Sequence, residues 1–283
     1  MAMKIGPYTL HEIHAGRVGL DGGAMFGIIP KPLWERKIPA DARNRIPLAM
    51  RCLLLEGDGR LVLIDNGLGD KYDAKFADIY AVDMESSNLA DSLDAAGFGL
   101  DEVTDVILTH LHFDHCGGST MRGGDGTLRV AFPNATFHVQ REHWDWAHTS
   151  PREGASFLSE NLDPLEASGQ LRFVDGPGEL LPHVETIVVN GHTRGQQLVK
   201  LHDEDQTLVF AADLLPTAAH VPLVWVMAYD VAPLETIAEK EPFLEQAAAQ
   251  EWTIFFEHDT EVATARIQKG ARGFEAVDRA ARL

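Results

Sequence analysis

The chain has 283 residues, with 24 Lys and Arg against 43 Asp and Glu, for a formal net charge of −19. That length sustains a full hydrophobic core, and 45% hydrophobic with 24% charged residues excludes a disordered polymer. The acidity argues against nucleic acid, which is held mainly through Lys and Arg, and against an anionic membrane surface.

From Met1 to Leu10 there is no charged-then-apolar secretory pattern. The longest apolar stretch, Val221 to Tyr229, is interrupted by Pro222 and far short of the ~20 residues of a membrane span. The expectation is a soluble, cytoplasmic protein. No linker or repeat divides the chain, so residues 1–283 read as one domain. Gly16 to Met50 carries four prolines and several glycines and reads as a long surface loop beside a substrate pocket.

Arg51–Glu56 and Arg60–Asp65 flank Gly57-Asp58-Gly59, the signature of a hairpin with a tight turn. Asn88 reads as the N-cap of a helix bearing Leu89, Leu93 and Ala96 on one face and ending at Gly97. Further strands are expected at Asp105–Thr109, Thr136–Val139, Thr186–Asn190, Thr207–Ala212 and Thr253–Phe256. Arg141–His148 reads as helical, and Pro233–Gln250 as one kinked helix or two short ones, because Pro242 removes a donor. Strands alternating with helices point to a layered α/β or α+β architecture. Cys52 and Cys116 are too few for a disulfide framework and read as reduced, buried small residues.

The tract Thr109-His-Leu-His-Phe-Asp-His-Cys-Gly-Gly118 carries the chemistry. Alternate residues of an extended segment share a side, so His110 and His112 can face one metal ion, and the following turn can bring Asp114 and His115 to a second. A lone histidine would more often be structural. Three histidines and an aspartate within six residues serve no packing role, and burying them unpaired costs roughly 1–3 kcal/mol each. His192 lies between Gly191 and Gly195, Asp213 follows an apolar strand, and His258 follows another. Polar groups at strand ends are where layered α/β proteins place their ligands.

His-x-His-x-Asp-His, then Gly-His-Thr, then Asp, then His resembles the metallo-β-lactamase superfamily, across nearly the whole chain from Arg51 to a last strand at His258. The resemblance implies an αββα sandwich of the α/β class, with two divalent metal ions at one edge of two mixed sheets. His110, His112 and His192 would hold one ion, and Asp114, His115 and His258 the other, with Asp213 bridging. Zinc is the first expectation; iron, manganese and cobalt suit the same donors. Two such ions lower the pKa of a shared water, giving a hydroxide that attacks a carbonyl or phosphoryl centre. Asp114 and Asp213 are the catalytic candidates, Asp114 for moving a proton to the leaving group. Asp65 and Thr109 are candidates for orienting the imidazoles.

Within that superfamily, the missing flavin domain, basic surface, export signal and glutathione-binding tail argue against several branches. What remains is similar to the lactonase and organophosphate-hydrolase branch. Phe26 and Trp34 on one side, and Leu215, His220 and Trp225 on the other, are expected to wall an apolar pocket suited to a neutral lactone or ester; core packing is the competing role for the aromatics. Acyl-homoserine-lactone hydrolases carry a Tyr three residues after the bridging Asp. Pro216 stands there in this chain, leaving Tyr229 or His220 to replace it. The expected function is lactone or ester hydrolysis, with acyl-homoserine lactones one candidate substrate. The alternatives are phosphotriester hydrolysis, a mononuclear iron persulfide dioxygenase, and a non-catalytic metal-binding protein. The expected partner is a small molecule, without nucleic acid or membrane, and a homodimer is left open.

Overall fold

A computed structural model describes residues 3–283 and arranges them as two seven-stranded sheets with helices outside them. The first sheet contains Lys4–Ile5 (β1), Tyr8–Asp21 (β2), Arg45–Gly57 (β3), Arg60–Ile64 (β4) and Asp105–Ile107 (β5). After a two-stranded ribbon of Thr120–Arg122 (β6) and Leu128–Val130 (β7), Thr136–Gln140 (β8) and Leu171–Val174 (β9) complete it. The second sheet runs in sequence order through Gly178–Leu181 (β10), Val184–Val189 (β11), Gln196–His202 (β12), Thr207–Phe210 (β13), Thr253–Phe255 (β14), Thr264–Gly270 (β15) and Gly273–Ala280 (β16). Both sheets are mixed: β4, β5, β8 and β9 are parallel, as are β13 and β14, while the outer pairs are antiparallel. Among the described residues no helix is long and apolar enough to cross a membrane.

The strand period of two explains the layering. Leu53 and Leu55 of β3, Val62 and Ile64 of β4 and Ile107 of β5 pack toward the second sheet, against Leu198, Leu208 and Phe210. Their neighbours Cys52, Leu54, Leu61, Leu63 and Val106 face the opposite way, against Leu93, Phe137 and Leu165. A strand apolar at every position is buried on both faces, so helices must cover the outside. Leu89–Ala96 carries Leu93 on one side, and Pro233–Ala249 presses Phe243, Leu244 and Ala247 onto the other sheet.

The hairpin turn is Asp58-Gly59, with Gly57 paired to Arg60 and φ of 53° and 68° at the two turn residues, the conformation that a two-residue connection requires. Asn88 caps its helix through Asp91 N, and Gly97 ends it at φ 93°. Pro233–Ala249 is one helix despite Pro242. Two expectations are corrected. Gly16–Met50 is not one irregular loop: β2 runs to Asp21, helices occupy Gly22–Phe26 and Lys31–Trp34, and β3 begins at Arg45. Its prolines lie in the connection and at Pro47 in the outer part of β3, where they do not interrupt the β2–β3 ladder. Nor is the strand before His258 the last, since β15 and β16 follow; their alternation of apolar and charged residues covers one face only.

Candidate metal centre

Every sequence-selected ligand follows the C-terminal end of a strand or the turn after it, at one edge of the two sheets. β5 leads into His110 and His112, and the short helix Phe113–Cys116 then turns Asp114 and His115 inward. β11 leads to His192. Gly191 is required there, because a Cβ would lie 2.2 Å from Thr236 N, and Gly195 turns the chain away at φ 71°. β13 leads to Asp213 and β14 to His258.

Two groups of donor atoms result, one of His110, His112, His192 and Asp213, the other of Asp114, His115 and His258, all buried. In the first, His112 Nδ1 lies 3.0 Å from His110 Nε2 and 3.2 Å from His192 Nε2. In the second, His115 Nε2 and His258 Nε2 are 3.0 Å apart, with Asp114 Oδ2 at 3.9 and 3.8 Å from them. Asp213 stands between: Oδ2 is 3.2 Å from His192 Nε2, and Oδ1 is 3.2 Å from His258 Nε2 and 3.6 Å from His115 Nε2.

The outward nitrogens decide what the inward ones are. His258 Nδ1 donates to Ala49 O at 2.7 Å, His112 Nε2 to Glu153 Oε1 at 2.9 Å and His192 Nδ1 to Asp230 Oδ1 at 3.0 Å. Thr109 Oγ1 gives its hydrogen to Asp65 Oδ2 and so accepts from His110 Nδ1 at 3.1 Å. His115 Nδ1 faces two acids, Asp65 Oδ2 at 3.1 Å and Glu257 Oε2 at 3.0 Å. A neutral imidazole with its hydrogen placed outward presents a lone pair inward. Lone pairs converging at 3.0 Å repel unless a cation lies among them, and Asp213 Oδ1 is buried without a hydrogen bond. The donor set therefore fits two divalent ions, with nitrogen and carboxylate ligands of the kind zinc takes.

The electrostatics agree. Burial and the neighbouring rings hold His110 far below the ordinary histidine value. Burial would raise the Asp213 carboxyl, but His115, His258 and His192 hold it well below the usual carboxylate range. Burial would likewise lower His258, yet Asp213 draws it up to about 9, so the edge attracts positive charge strongly enough to hold a proton on this ring, which a divalent ion would displace.

Outside the ligands, Arg51 secures the His258 loop. Its Nη1 donates to Phe256 O at 2.7 Å and Asp259 O at 2.8 Å, and Nε to Glu12 Oε1 at 2.9 Å. The helix Pro233–Ala249 supports the His192 side. Thr236 Oγ1 donates to Asp230 Oδ2, Glu239 accepts from the amides of Asn190 and Gly191, and Lys240 Nζ holds the carbonyls of Pro222 and Trp225.

A cavity of about 310 Å³ opens onto His112, Asp114, His192, Asp213 and His258. Leu20, Met25, Leu48, Phe113 and Met227 give it apolar walls, and Tyr80, Arg152, Ser156 and Tyr229 add polar groups. None of Phe26, Trp34, Leu215, His220 and Trp225 lines it, which corrects their expected place. Phe26 is fully buried and stacks on His220 at 4.6 Å and on Trp34 at 5.4 Å, with Trp225 edge-on at 5.7 Å. His220 Nε2 meets Met25 O at 2.8 Å, so this cluster sits behind the wall that Met25 provides. Glu153, Asp230 and Glu257 escaped the sequence reading because single acids carry no motif; the buried Glu257 beside His258 had the nearest thing to a signal, an acid ending an apolar strand.

A family model described as the metallo-beta-lactamase superfamily matches residues 47–258. An N-acyl homoserine lactonase from Bacillus cereus is 25% identical over 175 residues, 59% of this chain, and the chain spans 63% of that relative's length. Among solved structures, a probable metal-dependent hydrolase from Staphylococcus aureus superposes with a TM-score of 0.88 at 28% identity, covering 97% of this chain and 98% of that one. AidC, a dizinc quorum-quenching lactonase in complex with a product, gives a TM-score of 0.80 at 21% identity over 98% of this chain and 96% of its own, a likeness of fold.

Proposed function

The chain belongs to the metallo-beta-lactamase superfamily, and from that premise we propose that it is a metal-dependent hydrolase that opens a lactone ring, with N-acyl homoserine lactones the first class of substrate. The carrying observation is Asp213, whose two oxygens face separate ligand groups at the end of an apolar cavity. His110, His112 and His192 would hold one divalent ion and Asp114, His115 and His258 the other, with zinc the first expectation and Asp213 shared. Bound there, the ions would supply Lewis acidity and ionise water near neutral pH.

The chain's own groups do the rest. Asp114 lines the cavity and can carry a proton to the leaving alkoxide as the ring opens. Tyr229 lines the same space from a partly exposed position, and its phenol, with an ordinary value of about 10, stays a neutral donor for a substrate oxygen. Pro216 serves the backbone instead, its carbonyl accepting from His258 N at 3.1 Å. Leu20, Met25, Leu48 and Met227 suit an uncharged acyl chain better than a highly charged substrate.

Metal analysis of the purified protein, with rates on homoserine lactones of several chain lengths, an aryl ester and a phosphotriester, tests this reading. Two ions per chain with lactones turned over fastest is the expected result. Faster phosphotriester cleavage would move the function to that class, and two ions without turnover would leave a metal-binding protein.

A further inference from the structure

We propose that Arg152 makes this pocket selective for lactones or esters that carry a carboxylate at the end remote from the bond to be cut. The inference rests on the hydrolase reading above and adds the chemistry of the substrate's far end.

Among the described residues, Arg152 is the only Lys or Arg lining the cavity. Its one hydrogen bond among the described residues runs from Nη2 to Ala228 O at 2.6 Å, between the loop that carries Glu153 and the loop that carries Met227 and Tyr229. A neutral carbonyl uses one guanidinium hydrogen and leaves the others to solvent or a ligand. The adjacent acid cannot balance it. Glu153 is buried and turned the other way, onto His112, Trp146 and Ser150. The other lining carboxylates, Asp114 and Asp213, belong to the metal-binding edge. Among the described residues Arg152 has no carboxylate partner, so its exposed guanidinium faces the cavity open to a ligand.

Arg152 is exposed at the cavity, so its charge is open to a solvated ligand, and a guanidinium binds a carboxylate through two parallel hydrogen bonds. The net charge of −19 repels anions at long range, so any preference for a carboxylate must come from short-range pairing with Arg152.

The test uses two lactones of equal chain length, one ending in methyl and one in carboxylate, together with their lactam analogues, which report binding without ring opening. The metal-loaded protein should favour the carboxylate lactone about 5-fold in kcat/KM, through KM, as a charge-assisted contact at an exposed side chain implies. Arg152→Gln should bring the pair to parity, Arg152→Lys should restore part of the preference, and Arg272→Gln, which removes the same charge at an exposed turn, should keep it. Lactam binding should show the same order. Turnover of both lactones at equal kcat/KM, or a preference that survives Arg152→Gln, overturns the role of Arg152 and leaves the lactone reading standing. A lactam preference abolished by Arg152→Gln, with neither lactone opened, upholds Arg152 and overturns the lactone reading.

Discussion

Glu153 Oε1 accepts the Nε2 hydrogen of His112 at 2.9 Å, while its other oxygen accepts from Trp146 Nε1 at 2.6 Å and Ser150 Oγ at 2.8 Å. Burial alone would raise this carboxyl, but the His112 contact, helped by Ser150, brings it down to about 2. It is therefore a fixed anion that sets the ring of one ligand. Glu153→Ala should weaken binding at the site of His110, His112 and His192 by about 10- to 100-fold, with the site of Asp114, His115 and His258 less affected. Competition against a graded series of chelators measures the two affinities. Equal loss at both would mean that Glu153 acts on the fold and not on His112.

Asp213 offers one oxygen to each donor group. Asp213→Asn keeps the shape, removes the charge and leaves at most one oxygen as a ligand, so both ions should be held more weakly at once. Metal counts after dialysis should fall from two toward zero together. A stable single-ion form would show that Asp213 serves one site only.

Much of this edge was legible because its ligands are chemically conspicuous and fall at strand ends. His110, His112, Asp114 and His115 stand within six residues, and His192, Asp213 and His258 each follow an apolar run. The hairpin at Asp58-Gly59 and the cap at Asn88 were equally plain, since turn and cap chemistry is local. β2 was not legible, because Gly16 and Gly19 interrupt its alternation and only pairing with β3 explains them. The pocket wall failed for a related reason. Phe26 and Met25 are neighbours on one short helix, and hydrophobicity alone does not say which of the two faces the cavity.

Lys240 gives a pH dependence remote from the ligands. It is fully buried, its Nζ holds only the carbonyls of Pro222 and Trp225, and burial pushes it down to about 7 from its ordinary 10.5, against the pull of Asp230. Between those values the unfolded chain keeps a proton that the folded chain has released. Stability attributable to this residue therefore rises with pH across the window, and the full cost of the buried charge is present below it. Relative to Lys240→Met, the wild-type protein should gain unfolding free energy from about pH 7 to about pH 10.5 in denaturant titrations. A constant difference would mean that Lys240 keeps its proton throughout.

Phe26 and Met25 separate the core from the wall. Phe26 lies between His220 and Trp34 with no exposed surface, so Phe26→Ala opens a void among rings that cannot collapse into it. A loss of about 3–5 kcal/mol is expected. The ratio of rates on hexanoyl and dodecanoyl lactones should change little at a temperature where the variant is folded. Met25 lines the cavity from a buried position, so Met25→Ala should instead shift that ratio toward the longer chain as the wall recedes, at a stability cost of about 2–5 kcal/mol. Denaturant titration and the two rates, measured on both variants, check this. If Phe26→Ala changes the chain-length preference more than Met25→Ala does, the aromatic cluster forms the binding surface after all, and the wall assigned to Met25 is the part that must be redrawn.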